Sequence, residues 1–225
     1  MKSLDAFDWT HVETELDIQG HATLRGLLAA SECRALAEGL WDVDANPIDL
    51  ESIKQGFGAL RRFHRGLPED LAALRASLYG RLVGTANRWQ DGLSEPRRYP
   101  ERFGGPSARA AAGHSPERSA LSRFCMGEHW GLHKDTEGEP PFPLQVSALL
   151  SRPDRDFSGG EFVMTELRPR MQSRPIVVVP KQGDAIIFAA DGRPFRGKTG
   201  FYRVSLKHAV SRIRSGERVA LELLF

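Results

Sequence analysis

The sequence predicts a mainly β chain with some α, a jelly-roll barrel or sandwich with N-terminal helices packed on the outer face of one sheet. Three observations carry this. From Ala120 onward, short apolar stretches alternate with turn residues. Before that point the chain reads mainly as helix and includes one leucine stripe at helical spacing. Gly (22) and Pro (14) are plentiful for 225 residues, which favours a body with many turns.

Taken in order, Asp8 to Asp17 opens as a short helix, and His21–Leu24 reads as a brief strand. Ser31, a good N-cap, precedes Cys33, Leu36, Ala37 and Leu40, so a helix over 32–41 follows. The clearest helix opens at Pro68-Glu69-Asp70, with proline in the first turn and acids beside the positive dipole end. Its stripe of Leu67, Leu71, Leu74, Leu78, Leu82, Ala86 and Trp89 lays one apolar face on a flat partner. Residues 92–118, rich in Gly, Pro, Ser and Ala, read as a long loop. Strands are predicted near 120–126, 129–135, 143–151, 160–166, 175–179, 184–190, 201–211 and 217–225. Turns fall at Phe157-Ser158-Gly159-Gly160, Lys181-Gln182-Gly183-Asp184 and Arg214-Ser215-Gly216-Glu217. The expected organisation is one domain over 1–225, with helical support and a long loop in 1–118 and the β core in 119–225.

Composition bounds the function. Apolar residues at 40% and charged residues at 27% support a packed core and argue against wholesale disorder. No apolar run approaches the ~20 residues of a membrane span, so no membrane partner is expected. Acids at Asp5 and Asp8 interrupt the place where an export signal needs an apolar stretch, which points to a cytoplasmic protein. Cys33 and Cys125 are too few for a disulfide framework or a zinc cluster, and Cys125 reads as a small core residue. Net charge is +2, but residues 151–225 hold 14 of the 31 Lys/Arg and only 8 of the 29 acids. The Arg193–Gly200 segment and the Arg168, Arg170, Arg174 cluster are read equally as phosphate-tracking loops or as ordinary exposed turns. Arg61, Arg62, His64 and Arg65, ahead of the long helix, are further candidates to flank a site.

The chemistry concentrates in the strand region. His133 and Asp135 are two residues apart, so on a strand both point to one side and can grip one ion. His208 stands near the end of the penultimate strand, and a jelly roll can bring its second and seventh strands side by side. Two histidines and one carboxylate on one face leave three coordination positions open, the arrangement of non-haem Fe(II) oxygenases. Arg218 follows His208 by ten residues. A hairpin at Ser215-Gly216 would put it ~16 Å away along the sheet, a gap suited to a dicarboxylate with its other end on the metal. Lys134, between the two ligands, points to the opposite face and solvent. His129, four residues before His133, is either at the pocket mouth or an ordinary surface histidine.

With these residues in view, the second half resembles the Fe(II)/2-oxoglutarate-dependent dioxygenases, with the prolyl-hydroxylase-like signature His133-x-Asp135, His208 and Arg218. Gly127, Gly159-Gly160-Glu161-Phe162, Pro180-x-x-Gly183-Asp184 with Phe188, and His208-x-Val210-x-x-Ile213-x-x-Gly216-x-Arg218 match in order over roughly 120–225. More narrowly, Phe142-Pro143-Leu144-Gln145, Phe157 to Phe162, Arg168 to Arg174 and Asn87-Arg88-Trp89 resemble a bacterial nucleic-acid oxygenase family (Oxygenase-NA) of the AlkB kind, labelled as acting on alkylated DNA. The resemblance implies a double-stranded β-helix. It implies Fe(II) held by His133, Asp135 and His208, the 5-carboxylate of 2-oxoglutarate paired with Arg218, and dioxygen as the other co-substrate, with ascorbate as the reductant for assays in vitro. An acid at Asp135 in place of a small residue implies hydroxylation or demethylation instead of halogenation.

This chain departs from many relatives at three places. Phe124 and Leu149 fall where a tyrosine is common, and Ala220 falls where a Ser or Thr helps hold the carboxylate. Gln145 and Ser147, on one face of the third strand, are candidates to supply the missing hydrogen bonds. Open substrate classes are alkylated DNA or RNA, a protein or peptide side chain, and a small metabolite. A metal-binding jelly roll without catalysis is the reading from a different class.

Overall fold

The computed structural model describes residues 1–39, 47–63, 66–104, 118–134 and 142–225. In chain order the elements are α1 (Trp9–Gln19), β1 (His21–Leu24), α2 (Ala30–Gly39), β2 (Pro47–Asp49), β3 (Gly56–Phe57), β4 (Ala59–Arg62) and α3 (Glu69–Gly92). The strand-rich part continues with β5 (Ala120–Cys125), β6 (His129–His133), β7 (Leu144–Leu149), β8 (Phe157–Gly159), β9 (Phe162–Leu167) and β10 (Arg174–Val178). It ends with β11 (Ala185–Ala189), β12 (Gly192–Gly197), β13 (Gly200–Val210) and β14 (Ile213–Leu223). Among the described residues these strands form two antiparallel sheets. The larger runs β1-β11-β7-β14-β5-β4-β2 with β8 on β14, and the smaller runs β10-β9-β13-β6-β3 with β12 on β13. The chain crosses repeatedly between the two sheets, as at β5–β6–β7, β10–β11–β12 and β13–β14, and this is the expected jelly roll. No described helix is long and apolar enough to cross a membrane.

The leucine stripe of α3 does what its spacing requires. Leu71, Leu74, Leu78, Leu82, Ala86 and Trp89 are all buried and share one cluster with Val219, Leu221 and Leu223 of β14. The alternate residues of β14, Arg218, Ala220 and Glu222, face the interior between the sheets. Pro68 is the N-cap of α3, one position before the predicted first turn. The second helix starts at Ala30, earlier than Ser31 predicts, because the Glu32 carboxylate accepts the Ala29 N–H at 2.8 Å and caps the chain there. Part of the predicted 92–118 loop is tied to α3: the Asn87 side chain accepts the Tyr99 N–H (2.8 Å) and donates to its carbonyl (3.0 Å).

Several expectations are corrected. Phe157–Gly159 is strand β8, because it pairs with β14. Arg214–Glu217 lies inside β14, where Gly216 takes a positive φ of 74° at an irregularity, and the reversal falls instead at Ser211 and Arg212. Residues 192–197 form β12, with Pro194 opposite Arg203. Cys125 is exposed at the end of β5, on the phase opposite to buried Phe124.

Two cations of the basic segments, Arg193 and Arg168, have structural partners. Arg193 is buried: its guanidinium pairs with buried Glu166 at 2.6 Å and donates to the Asp17 and Ile18 carbonyls at the end of α1 (2.8 and 2.7 Å). Arg168 binds the same carboxylate at 2.8 Å and lies over the Phe195 ring. These contacts occupy two cations that the sequence left open to phosphate. Burial alone would raise the Glu166 pKa, but the Arg168 hydrogen bond and the Arg193 charge outweigh it and hold the carboxyl below its ordinary value. Arg193→Met leaves that carboxylate buried without its main partner, so a loss of about 3–5 kcal/mol in urea unfolding is expected. Because the folded pKa is depressed, the stabilisation is complete above the unfolded carboxyl value near ~4.3 and is lost as pH falls through the folded one. The wild-type minus variant difference in stability should therefore shrink on acidification.

Candidate active site

His133 ends β6 and His208 lies in β13, and the two are register partners across the ladder, with ring centroids 4.2 Å apart. Both are buried. His133 Nδ1 sits 2.8 Å from the Gly131 carbonyl oxygen. A carbonyl only accepts, so Nδ1 carries the proton and Nε2 is left with its lone pair for a cation. Trp130 stacks on the His133 ring at 4.4 Å with planes 16° apart, and Phe188 packs on His208 at 4.7 Å. The rings are thus held by aromatic walls, which gives an ion-binding pair little freedom to turn away. Asp135 lies outside the described residues, as do His64 and Arg65. Lys134, expected to face solvent, meets Asp191 at 2.5 Å. His129 is half-buried and lies opposite Phe57.

Arg218 lies on the larger sheet, in β14, whereas the two histidines lie on the smaller one, in β6 and β13. The hairpin geometry expected along one sheet is therefore replaced by a reach across the barrel. Arg218 is only 1% exposed, yet its Nε and Nη1 have no hydrogen-bond partner among the described residues. Burial lowers its pKa, which the charge of Glu222 opposes. Buried donors are nearly always satisfied, so an orphaned guanidinium marks a place shaped for an acceptor. The Gly159-Gly160 pair makes room for it. A Cβ on Gly160 (φ 64°) would stand 2.9 Å from Arg218 Cδ and 2.6 Å from Ile213 Cδ1.

Gln145 and Ser147 are buried on the same face of β7, and Gln145 Nε2 is a second buried donor without a partner. Phe124 is buried and meets Trp130 edge-on, so an aromatic ring without a hydroxyl fills its place. The sequence reading missed Glu222. It is buried, accepts a hydrogen bond from Ser122 Oγ at 2.9 Å, is hydrogen-bonded by Ser147 and lies opposite Ser147 in register. Burial pushes its carboxyl up, against the charges of Arg218 and His208 and the two serine hydroxyls. Strand alternation was the available signal: counting 218, 220, 222 from Arg218 puts Glu222 on the pocket face.

This arrangement combines a facing histidine pair with a buried, unsatisfied guanidinium and amide. It can hold a cation at one end and an acidic ligand at the other.

Residues 58–225 match the family Oxygenase-NA, described as an oxygenase catalysing oxidative methylation of damaged DNA. Uncharacterised proteins from two strains of Mycobacterium tuberculosis are 34% identical over 185 residues, 80% of this chain and 79% of theirs. Among solved structures, the fold is similar to a Pseudomonas putida prolyl-4-hydroxylase (TM-score 0.58, 15% identity, covering 97% of this chain and 98% of that one). It is also similar to a 2OG-Fe(II) oxygenase family oxidoreductase from Burkholderia pseudomallei (TM-score 0.56, 19% identity, 99% and 92% covered).

Proposed function

We propose, from the premise that this chain belongs to the Oxygenase-NA family of oxygenases, that it is an Fe(II)- and 2-oxoglutarate-dependent enzyme acting on alkylated DNA. The observation that carries the co-substrate assignment is Arg218, buried with two donors that have no partner among the described residues, in a barrel whose other sheet holds two facing histidines. In this reading His133, Asp135 and His208 hold the iron. The lone pair at His133 Nε2 is the donor that the Gly131 carbonyl sets up. Arg218 takes the distal carboxylate of 2-oxoglutarate, and the Gln145 amide and Ser147 hydroxyl orient the same molecule. The bound metal and oxo acid supply the oxidant that inserts oxygen into a substrate C–H bond. The chain's own residues position the acid and shut water out of the barrel with Phe124, Phe162 and Phe188, all buried.

Gln145→Leu removes one buried donor and should raise the apparent 2-oxoglutarate requirement about three- to tenfold, the effect of one ordinary hydrogen bond. A titration of succinate production against co-substrate checks this.

The substrate reading rests on the family's description. It is tested by incubating the protein with Fe(II), 2-oxoglutarate, ascorbate and methylated single-stranded DNA, with formaldehyde as readout. Formaldehyde and succinate rising together with the DNA support a demethylase. Succinate unchanged by DNA, with no formaldehyde, overturns the nucleic-acid substrate and leaves the peptide and metabolite classes.

A further inference from the structure

We propose that the cleft beside the β12–β13 hairpin binds single-stranded DNA, holding the stretch of strand that flanks the reacting base. The proposal rests on the alkylated-DNA reading above and adds to it a binding site that includes neither histidine. The cleft encloses about 950 Å³ between the last turns of α1 and α3 and the hairpin, a volume typical of ligand sites. Much of its wall is apolar: Ile18 and Phe201 are each 55% exposed, and Trp89, Pro194 and Phe195 line it with them. Large apolar side chains gathered in one concavity mark a binding surface. Gly92 lets the end of α3 come close to the hairpin, since a Cβ there would stand 3.3 Å from Pro194 Cβ and 3.7 Å from Phe201 Cγ.

The charges decide the class of occupant. The acids of the lining, Asp17 and Asp91, are engaged: Asp17 accepts from Trp89 Nε1 at 2.6 Å and from Arg88 at 3.0 Å, and Asp91 pairs with Arg98. Arg196 and Lys198 of the hairpin are exposed, and among the described residues neither makes an ion pair. The surplus is positive, which favours an anionic occupant. Arg196 and Phe201 are register partners, and directly opposite residues of an antiparallel ribbon share a face, with Cβ atoms about 5 Å apart. A cation and an open ring thus stand side by side on the cleft wall. A nucleotide has both matching parts, a phosphate for the guanidinium and a flat base for the ring. An acidic peptide offers the charge without the base. Phe201 and His208 are seven residues apart on β13, roughly 24 Å along the strand, so the cleft takes the flank and not the base under attack.

The test is fluorescence anisotropy of a labelled, unmethylated single-stranded DNA oligonucleotide titrated with the protein, Mn(II) and 2-oxoglutarate present, over a series of salt concentrations. Phe201→Ala should weaken binding about five- to 150-fold, the range for losing one base stack, and Phe201→Trp should retain it. Arg196→Ala should weaken binding and flatten the slope of log affinity against log salt by about 0.7, the value for one phosphate on a single strand. Both side chains are exposed, so the variants should melt near the wild-type temperature. Poly-glutamate should compete poorly with the oligonucleotide. Wild-type binding that neither Phe201→Ala nor Arg196→Ala changes would overturn the cleft and leave the nucleic-acid substrate standing. Competition by poly-glutamate equal to that by unlabelled DNA would show a site for charge alone and would also overturn the proposal. No DNA binding by the wild-type protein, together with no formaldehyde from methylated DNA, would instead overturn the substrate reading on which it rests.

Discussion

His133→Ala and His208→Ala each abolish succinate formation from 2-oxoglutarate. The two rings are 4.2 Å apart and are walled by Trp130 and Phe188, so no other described imidazole can move into either place. A three-residue ligand set that loses one member loses both affinity and the geometry that leaves sites open for the reactants, and a drop of at least about 10³-fold is expected. Because both histidines are buried, the variants must be shown to melt cooperatively near the wild-type temperature before activity is compared. Added imidazole gives a second readout, since recovery in the cavity variant reports a missing ligand and not a damaged fold. Activity retained in a folded His208→Ala protein would remove the metal assignment.

Arg218→Met produces the next largest effect. The guanidinium is buried with Nε and Nη1 unsatisfied, so nearly all its interaction with an anionic ligand is new on binding. A charge-assisted pair of this kind contributes roughly 2–4 kcal/mol, which is about 30- to 1,000-fold in the 2-oxoglutarate requirement. The same substitution removes an orphaned buried charge from the ligand-free protein, so its melting temperature should hold or rise. Weaker co-substrate binding together with an undiminished melting temperature separates a binding arginine from a structural one. Arg193→Met shows the opposite behaviour, because both terminal nitrogens of Arg193 are engaged, by Glu166 and by the end of α1.

That contrast also marks what the sequence could and could not say. Arg193 and Arg218 are both buried arginines. The ordered spacing of His133, His208 and Arg218 singled out the second. Nothing local distinguished Arg193 from a surface cation, because its partner Glu166 is 27 residues away and meets it only when β12 pairs with β13. Long periodic elements were legible. The α3 stripe follows directly from which face is buried. Short elements were not. The segment Gly192–Gly197 contains a proline, two glycines and two arginines, yet it is a strand because tertiary pairing with β13 overrides local preference. Phe157–Gly159 is the same case, since two adjacent glycines read as a turn until β14 lies beside them. The position of Arg218 was anticipated along the chain but not in space. The β13–β14 connection passes from one sheet to the other, so the arginine and the histidines lie on different sheets.

The account stands or falls on coupling between metal and co-substrate. The deciding measurement is succinate released from 2-oxoglutarate by the purified protein, with ascorbate and dioxygen, in the presence and absence of Fe(II). Fe(II)-dependent succinate that disappears in both histidine variants is the predicted result. No Fe(II)-dependent succinate from folded protein, with or without methylated DNA, would contradict the dioxygenase reading and leave a jelly roll that binds a metal without oxidising anything.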